Sequence, residues 1–424
     1  MRIYNNVDTI GNVSLMQRIN RLKVLDCIRA NEFITRPEIA RETGLSLATI
    51  TNITKFLLKN KLIAENGFAE AKTAGRKAAL IGLNYDAMHV AAVDIGSKEI
   101  NIALCNLKGE IKDSTAIPAD TSAKGQKILQ LTAENISLLT EGRRKNSRKS
   151  KKLPIVAVGV ALSGIIQDDE KLLLSTSLKW KDISIKKYFE DNLQIPCFVQ
   201  NDSVTKAMYA INRETEDKSR YRNIIFLDLD MGVGAISIYD NKINEAVTGE
   251  FGHTTVKKDG PACFCGNNGC LEVMCSVESI IGRCAEMLAE NKCRILRDIL
   301  KEKGCDKAGS DACRPDYNTV IEAFDRGDKD VKDILKECGE YLGIGMANLI
   351  NMFNPDKIII NGDMLIKSDY IYNIVLRETK KRAYELFADG VVYERVNIGM
   401  KESMSGLTRF ITEKLFSLTG EKIF

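Results

Sequence analysis

The sequence predicts an α/β protein: a small helical head bearing a two-stranded wing, then a larger body of buried strands, turns and helices. Three observations carry that prediction. Amphipathic helix patterns broken by a glycine turn fill residues 17–60. Apolar runs that stop at tight polar or glycine turns recur at 89–104, 155–164, 226–234 and 358–363. One loop, 249–272, collects one of the two histidines and three of the twelve cysteines. At 424 residues the chain is long for one core and suggests two or three packed units.

Hydrophobic residues make up 44% and charged residues 28%, the balance of a soluble globular protein. No apolar run approaches the ~20 residues that span a bilayer. The opening residues lack the basic-then-apolar order of a signal peptide. A cytoplasmic protein without membrane contact is expected. The cysteines outside the loop have no ligand-like spacing and are expected as reduced thiols. Net charge is +4, unevenly placed: residues 1–82 hold thirteen Lys/Arg against seven Asp/Glu. A basic head on a nearly neutral body suggests that the head meets a polyanion.

Within the head, Ile19, Leu22, Val24, Leu25 and Ile28 form the apolar stripe of a first helix over 17–31. Thr35 is the expected N-cap of a second helix, with Pro37 in its first turn and Glu38 closing a capping box. Gly44 stops that helix after Thr43. Ser46 caps a third helix through about Asn60, with Ile50, Ile53 and Leu57 turned inward. Helix, short glycine turn, helix is the helix-turn-helix unit. Residues 65–83 then read as a two-stranded wing with a basic tip at Lys72, Arg76 and Lys77. Residues 1–82 are therefore expected to be a winged helix-turn-helix domain for double-stranded DNA. Ser46, Leu47, Ala48, Thr51, Asn52 and Lys55 would face the major groove, Asn52 suited to adenine and Lys55 to phosphate.

The loop reads Gly-Glu250-Phe-Gly-His253, then, ten residues on, Cys263-Phe-Cys265-Gly-Asn-Asn-Gly-Cys270-Leu-Glu272. Three thiolates and one imidazole complete a tetrahedral zinc shell with no open position, the structural type of site. Gly266 and Gly269 let the chain fold back between the last two thiols. Glu250 and Glu272 bracket the cluster and are not needed as ligands.

This string resembles, without a gap, the signature of the ROK family, named for repressors, open reading frames and kinases. The resemblance implies a two-lobe body of actin-like, hexokinase-like (ribonuclease H-like) ATPase fold. Its small lobe would span 88–205 with a closing helix in 403–424, and its large lobe 206–402 with the loop. It also implies a structural zinc on His253, Cys263, Cys265 and Cys270, and a sugar faced by Glu250, His253 and Glu272. Ser163-Gly164 stands where the family's kinases have Pro-Gly at the sugar cleft. Asn201-Asp202 resembles the kinase Asn-Asp, whose carboxylate takes the proton of the attacking sugar hydroxyl. A carboxylate beside an amide also suits sugar recognition alone, so Asp202 can bind without catalysing.

The nucleotide elements depart from the family pattern. Asp94-Ile-Gly96-Ser97-Lys98 replaces Asp-Ile-Gly-Gly-Thr-Lys; Asp230-Met231 replaces Gly-Thr before Gly232; Asn361 and Asp363 replace glycines around Gly362. Negative charge at Asp230 would oppose phosphates. No catalytic residue is expected, Asp202 being a vestigial base position. The chain reads as a sugar-responsive transcriptional regulator, most simply a repressor of carbohydrate-utilisation genes. A homodimer or a dimer of dimers would match palindromic operators. The family includes regulators that answer xylose, glucose and N-acetylglucosamine. The alternative is an active ATP-dependent sugar kinase carrying a DNA-binding head, favoured by Asp94 and Asp202. The basic run 142–152 reads as a solvated loop.

Overall fold

A computed structural model describes residues 13–69, 77–118, 125–142, 152–213, 221–244, 250–305 and 313–416, with side chains from Met16 onward. The chain forms two compact units, one of residues 1–201 with 404–424 and one of 202–403.

The first unit opens with α1 (Val13–Ala30), β1 (Ile34–Thr35), α2 (Arg36–Thr43) and α3 (Leu47–Lys59). At the start of α2 the Glu38 carboxylate accepts both the Thr35 backbone N–H at 2.9 Å and its hydroxyl at 2.7 Å. Gly44 closes α2 in the left-handed region at φ 72°, and the Ser46 hydroxyl accepts the Thr49 N–H to start α3. The wing is the antiparallel pair β2 (Ile63–Phe68) and β3 (Ala79–Leu83), with β1 on the other edge of β3. The tip residues Lys72 and Arg76 lie outside the described residues, as do 143–151 of the basic run.

The rest of this unit is built on β4 (His89–Ile95), β5 (Glu99–Asn106), β6 (Ile111–Pro118), α4 (Gly125–Thr140) and β7 (Ile155–Leu162). A small sheet of β8 (Ile165–Gln167), β9 (Lys171–Ser175) and β10 (Trp180–Ser184) follows, then α5 (Ile185–Leu193) and β11 (Cys197–Asn201). The main sheet has the order β11-β7-β4-β5-β6. β4, β7 and β11 are parallel and bury near-continuous apolar runs, as strands covered on both faces do. The head shares its core with this body: Leu22, Leu25, Ile28 and Ile50 belong to the same buried cluster as Leu107 and Phe416.

The second unit contains α6 (Asp202–Arg213), β12 (Asn223–Asp228), β13 (Gly234–Tyr239), β14 (Lys242–Ile243), α7 (Leu271–Cys275) and α8 (Val277–Ala289). There follow α9 (Arg294–Glu302), α10 (Tyr317–Asp325), α11 (Lys329–Phe353), β15 (Lys357–Asn361) and α12 (Asp363–Ile366). α13 (Asp369–Arg382), α14 (Glu385–Ala388), β16 (Val392–Val396) and α15 (Met400–Leu415) end the described chain. Its sheet, β14-β13-β12-β15-β16, repeats the topology of the first: an antiparallel meander of three strands extended by two parallel ones. The division falls between Asn201 and Asp202, four residues before the lobe boundary drawn from sequence, because α6 packs on β13 and β14 of the second sheet. No described helix is long and apolar enough to cross a membrane.

Candidate DNA-reading face, metal cluster and ligand site

α3 presents Ser46, Leu47, Ala48, Asn52 and Lys55 to solvent, with Thr51 half-buried beside them. Its other face buries Ile50, Ile53 and Leu57. The Thr51 hydroxyl is spent on the Leu47 carbonyl at 2.8 Å, which leaves Asn52 and Lys55 as the longer polar side chains of the face. Lys77 is exposed at the foot of β3. Sequence reasoning missed Arg36. Its Nε donates to the Thr54 hydroxyl and its Nη2 to Glu65, both at 2.9 Å, so it ties α2 to α3 and to the wing.

In the second unit, His253 ends a single 3-10 turn that starts at Phe251. Short bridges Thr255–Cys270 and Ala262–Asn268 fold the loop back on itself. Gly269 has φ 64°, and a Cβ there would lie 1.7 Å from the Lys257 carbonyl oxygen, so only glycine closes this loop. The fold brings His253, Cys263, Cys265 and Cys270 into a group whose donor atoms all lie within 4.8 Å of one another, able to hold a metal ion. His253 turns Nδ1 to the Cys263 sulfur at 3.4 Å, and Nε2 faces Glu250 at 3.9 Å. Burial pushes the Cys270 thiol up to about 12. The Asn267 backbone N–H pulls Cys265 down.

Glu250, His253 and Glu272 gather near the turn 231–233. The Glu250 carboxyl is held above its usual range by desolvation, with the Glu272 charge adding and His253 opposing. Glu272, one residue into α7, accepts the Val233 backbone N–H at 3.0 Å.

The carboxyl ends of the parallel strands β12 and β15, where open α/β sheets place ligands, are occupied by side chains of the protein itself. Asp228, 4% exposed, accepts from the Asn361 amide at 2.8 Å, the Ser203 hydroxyl at 2.7 Å and Lys206 at 3.1 Å. Lys206 also reaches Asp230 at 2.5 Å, and fully buried Asn361 accepts the Ile398 N–H. Burial pulls the Lys206 ammonium down most strongly, but Asp228, Asp202 and Asp230 together hold it above its ordinary range. The Asp202 carboxyl is raised by burial, with Lys206 opposing and Asp228 adding. Asp230 is thus not the bare charge that its sequence position suggests, because Lys206 pairs with it. Lys206 lies one helical turn after Asp202 on α6, and an Asp–Lys pair at that spacing is the signal that would have found it.

The first unit holds the remaining expected site residues. The Asn201 amide donates to the Gly164 carbonyl at 3.0 Å, so β11 and the turn after β7 are joined next to Ser163.

The ROK family profile matches residues 90–413, and a profile described as winged helix-turn-helix DNA-binding matches residues 17–64. The chain is similar to the xylose repressor of Caldicellulosiruptor bescii, 28% identical over 83% of this chain and 84% of that one. It is also similar to the transcriptional dual regulator NagC of Escherichia coli, 27% identical over 84% and 83%. In fold it resembles a crystal structure of a ROK transcriptional regulator described as a homologue of the E. coli MLC protein. That likeness has a TM-score of 0.71 and 22% identity, and it covers 96% of this chain and 98% of that one.

Proposed function

The chain belongs to the ROK family, and from that premise we propose that it is a sugar-responsive DNA-binding transcriptional regulator, most simply a repressor of carbohydrate-utilisation genes. The observation that carries this reading is the exposed face of α3, with Asn52 and Lys55, on a winged helix-turn-helix attached to a ROK body. The relatives named for xylose and for N-acetylglucosamine-type regulation support the same reading.

The metal is zinc. Three thiolates and a neutral imidazole are its usual closed donor set, and sulfurs about 2.3 Å from a tetrahedral ion stand roughly 3.8 Å apart. The Cys265 and Cys270 sulfurs are 3.7 Å apart, which fits. The ion is structural, holding the loop so that Glu250, His253 and Glu272 keep their places. His253 would hold the ion with the Nδ1 that faces the Cys263 sulfur, which would leave the proton on Nε2 and make His253 a donor beside the acceptor Glu250. A donor next to carboxylates is what vicinal hydroxyls require. Asp202 supplies a further polar group for the sugar, and the resemblance to the family's kinases adds Asn201 and the Ser163-Gly164 turn as candidates.

The sugar is bound and not phosphorylated, because the Val233 N–H, Asn361 and Asp230, which stand where phosphates would be met, are engaged within the protein. The regulator works as a homodimer or a dimer of dimers on palindromic DNA, where two heads read two half-sites. The sugar changes DNA affinity only by as much as it prefers one conformation over the other.

The test has two parts. Thermal shift against D-xylose, D-glucose and N-acetyl-D-glucosamine should find one sugar that raises the melting temperature. That sugar should then change the anisotropy-measured affinity for a duplex selected by the protein from a random library. A chain that binds DNA with the same affinity at every concentration of every sugar tested is not a sugar-responsive regulator.

A further inference from the structure

The turn 265–268 is the outer edge of the loop that carries the metal donors. Cys265, Gly266, Asn267 and Asn268 are all exposed. Gly266 turns there at φ 93°, and a Cβ on it would meet nothing within 4 Å. Among the described residues, Cys265 is the only exposed cysteine. Cys270, five positions on, is fully buried. It is held from two sides, since it caps α7 and bridges to Thr255. Its sulfur stands 3.7 Å from that of Cys265, whereas Cys263 turns its sulfur to His253 Nδ1.

An exposed thiol with a second thiol directly behind it is the arrangement that oxidation converts to a disulfide. An S–S bond is about 2.05 Å long, so the two sulfurs, 3.7 Å apart, have to close by about 1.7 Å. The open turn at Gly266 gives Cys265 room for that movement while Cys270 stays in place. Most other thiols of the chain are shielded. Burial raises those of Cys105, Cys197, Cys284, Cys293 and Cys338. Burial and a hydrogen bond to Glu42 push Cys27 up to about 12. Few thiolates are present at these positions to react. Cys305 and Cys313 are half-buried and serve as controls.

We propose that Cys265 and Cys270 are a peroxide-sensitive pair: hydrogen peroxide joins them as a disulfide and so removes two of the four donors of the metal site. The proposal rests on the zinc reading of the loop. The Cys265 sulfur attacks one peroxide oxygen and the O–O bond breaks. Cys265 becomes a sulfenic acid, and the departing hydroxide takes a proton from solvent to leave as water. The Cys270 sulfur then attacks the Cys265 sulfur; the S–S bond forms, the S–O bond breaks, and a second hydroxide leaves as water. Two electrons pass from the thiolate pair to the peroxide. A disulfide sulfur has no charge to offer the ion, and His253 with Cys263 falls two ligands short of a closed zinc shell. His253 then loses the ion that sets its ring, so peroxide acts on the sugar side of the regulator through this loop.

The test uses the full chain purified with its zinc, hydrogen peroxide, and a chromogenic zinc chelator. Peroxide should release zinc in step with the loss of two hydrogens from the intact mass, with no oxygen added. Bound zinc should fall about tenfold or more, half of its donors being gone. Fragmentation of the unreduced peptide that holds them should place the bond between Cys265 and Cys270. Dithiothreitol followed by zinc should restore both mass and metal. Cys305→Ser combined with Cys313→Ser should leave all of this unchanged, because neither thiol belongs to the pair. Zinc retained while peroxide oxidises other positions, or zinc lost with Cys265 and Cys270 unlinked, overturns the proposal. A chain that carries no zinc before peroxide refutes the zinc reading instead, and the mapped bond alone then decides whether the two thiols pair.

Discussion

The Glu272 carboxylate accepts the backbone N–H of Val233 at 3.0 Å, joining the helix after the cysteine loop to the turn after β12. The same carboxylate comes close to the turn at its glycine: a Cβ on Gly232 would lie 2.6 Å from the Glu272 oxygen. This turn is where the family's kinases are expected to cradle phosphates. Here its amide is spent on a protein carboxylate, and the next carboxylate along, Asp230, is spent on Lys206.

No ATP-dependent phosphorylation above background is therefore expected with the sugar that binds best. Asp202→Asn should nonetheless weaken that sugar, since a charge-assisted hydrogen bond is worth about 1.5–3 kcal/mol, or roughly tenfold or more in affinity. Calorimetry gives the affinity and a coupled ADP-release assay the turnover. Turnover on the order of 1 s⁻¹ or faster would restore the kinase reading.

One zinc per chain should be found by elemental analysis of protein purified without added metal. Cys265→Ala should lose the zinc and weaken sugar binding together, because the loop that places Glu250 and His253 loosens. Full zinc occupancy in that variant would refute the ligand set.

DNA binding should fall steeply with salt, as phosphate contacts release counterions. Lys55→Ala should weaken all sequences alike and lower the salt slope by about one. Asn52→Ala should change sequence preference, costing ~1–3 kcal/mol at one base pair. Arg36→Ala should weaken binding without touching DNA, by freeing the wing from Thr54. Selection of bound duplexes by sequencing separates these effects, and an unchanged preference in Asn52→Ala would remove that residue from base reading.

Lys206→Met should destabilise the fold by ~3 kcal/mol, because it strands the buried Asp228 without its counter-ion. Adding Asp228→Asn should recover part of the loss. Urea unfolding at pH 7 measures both, and equal stabilities of wild type and Lys206→Met would show that the pair contributes nothing.

Glu378 is buried on α13, where it accepts from Arg377 at 3.1 Å, Lys381 at 2.8 Å and Arg382 at 2.5 Å. Hydrogen bonds from Lys381 and Arg382 hold its carboxyl down at about 2. A depressed folded-state value stabilises the protein above the unfolded value, near 4.3, and that contribution is lost as pH falls toward 2. The melting-temperature gap between wild type and Glu378→Gln should be widest near neutral pH and close below pH 3. A gap independent of pH would contradict the linkage.

The winged head, the cysteine–histidine group and the family were legible in the residue string because the forces behind them are local. A capping box spans four residues, a helix stripe repeats every turn, and the four donors of the metal group sit within eighteen positions of one another. The site around Asp228 was not legible in this way. Its Asn361 partner is 133 positions away, and only the parallel register of β12 and β15, Asp228 opposite Asn361, makes them neighbours. Asp230 read as a free charge because sequence displays charges without their partners. Folding set Lys206 against it, since burying Asp228 requires a counter-ion and α6 brings one within reach. The same holds for Glu272 and Val233. Local patterns specify elements; which polar groups must satisfy one another is settled only when packing removes the water that would otherwise have done so.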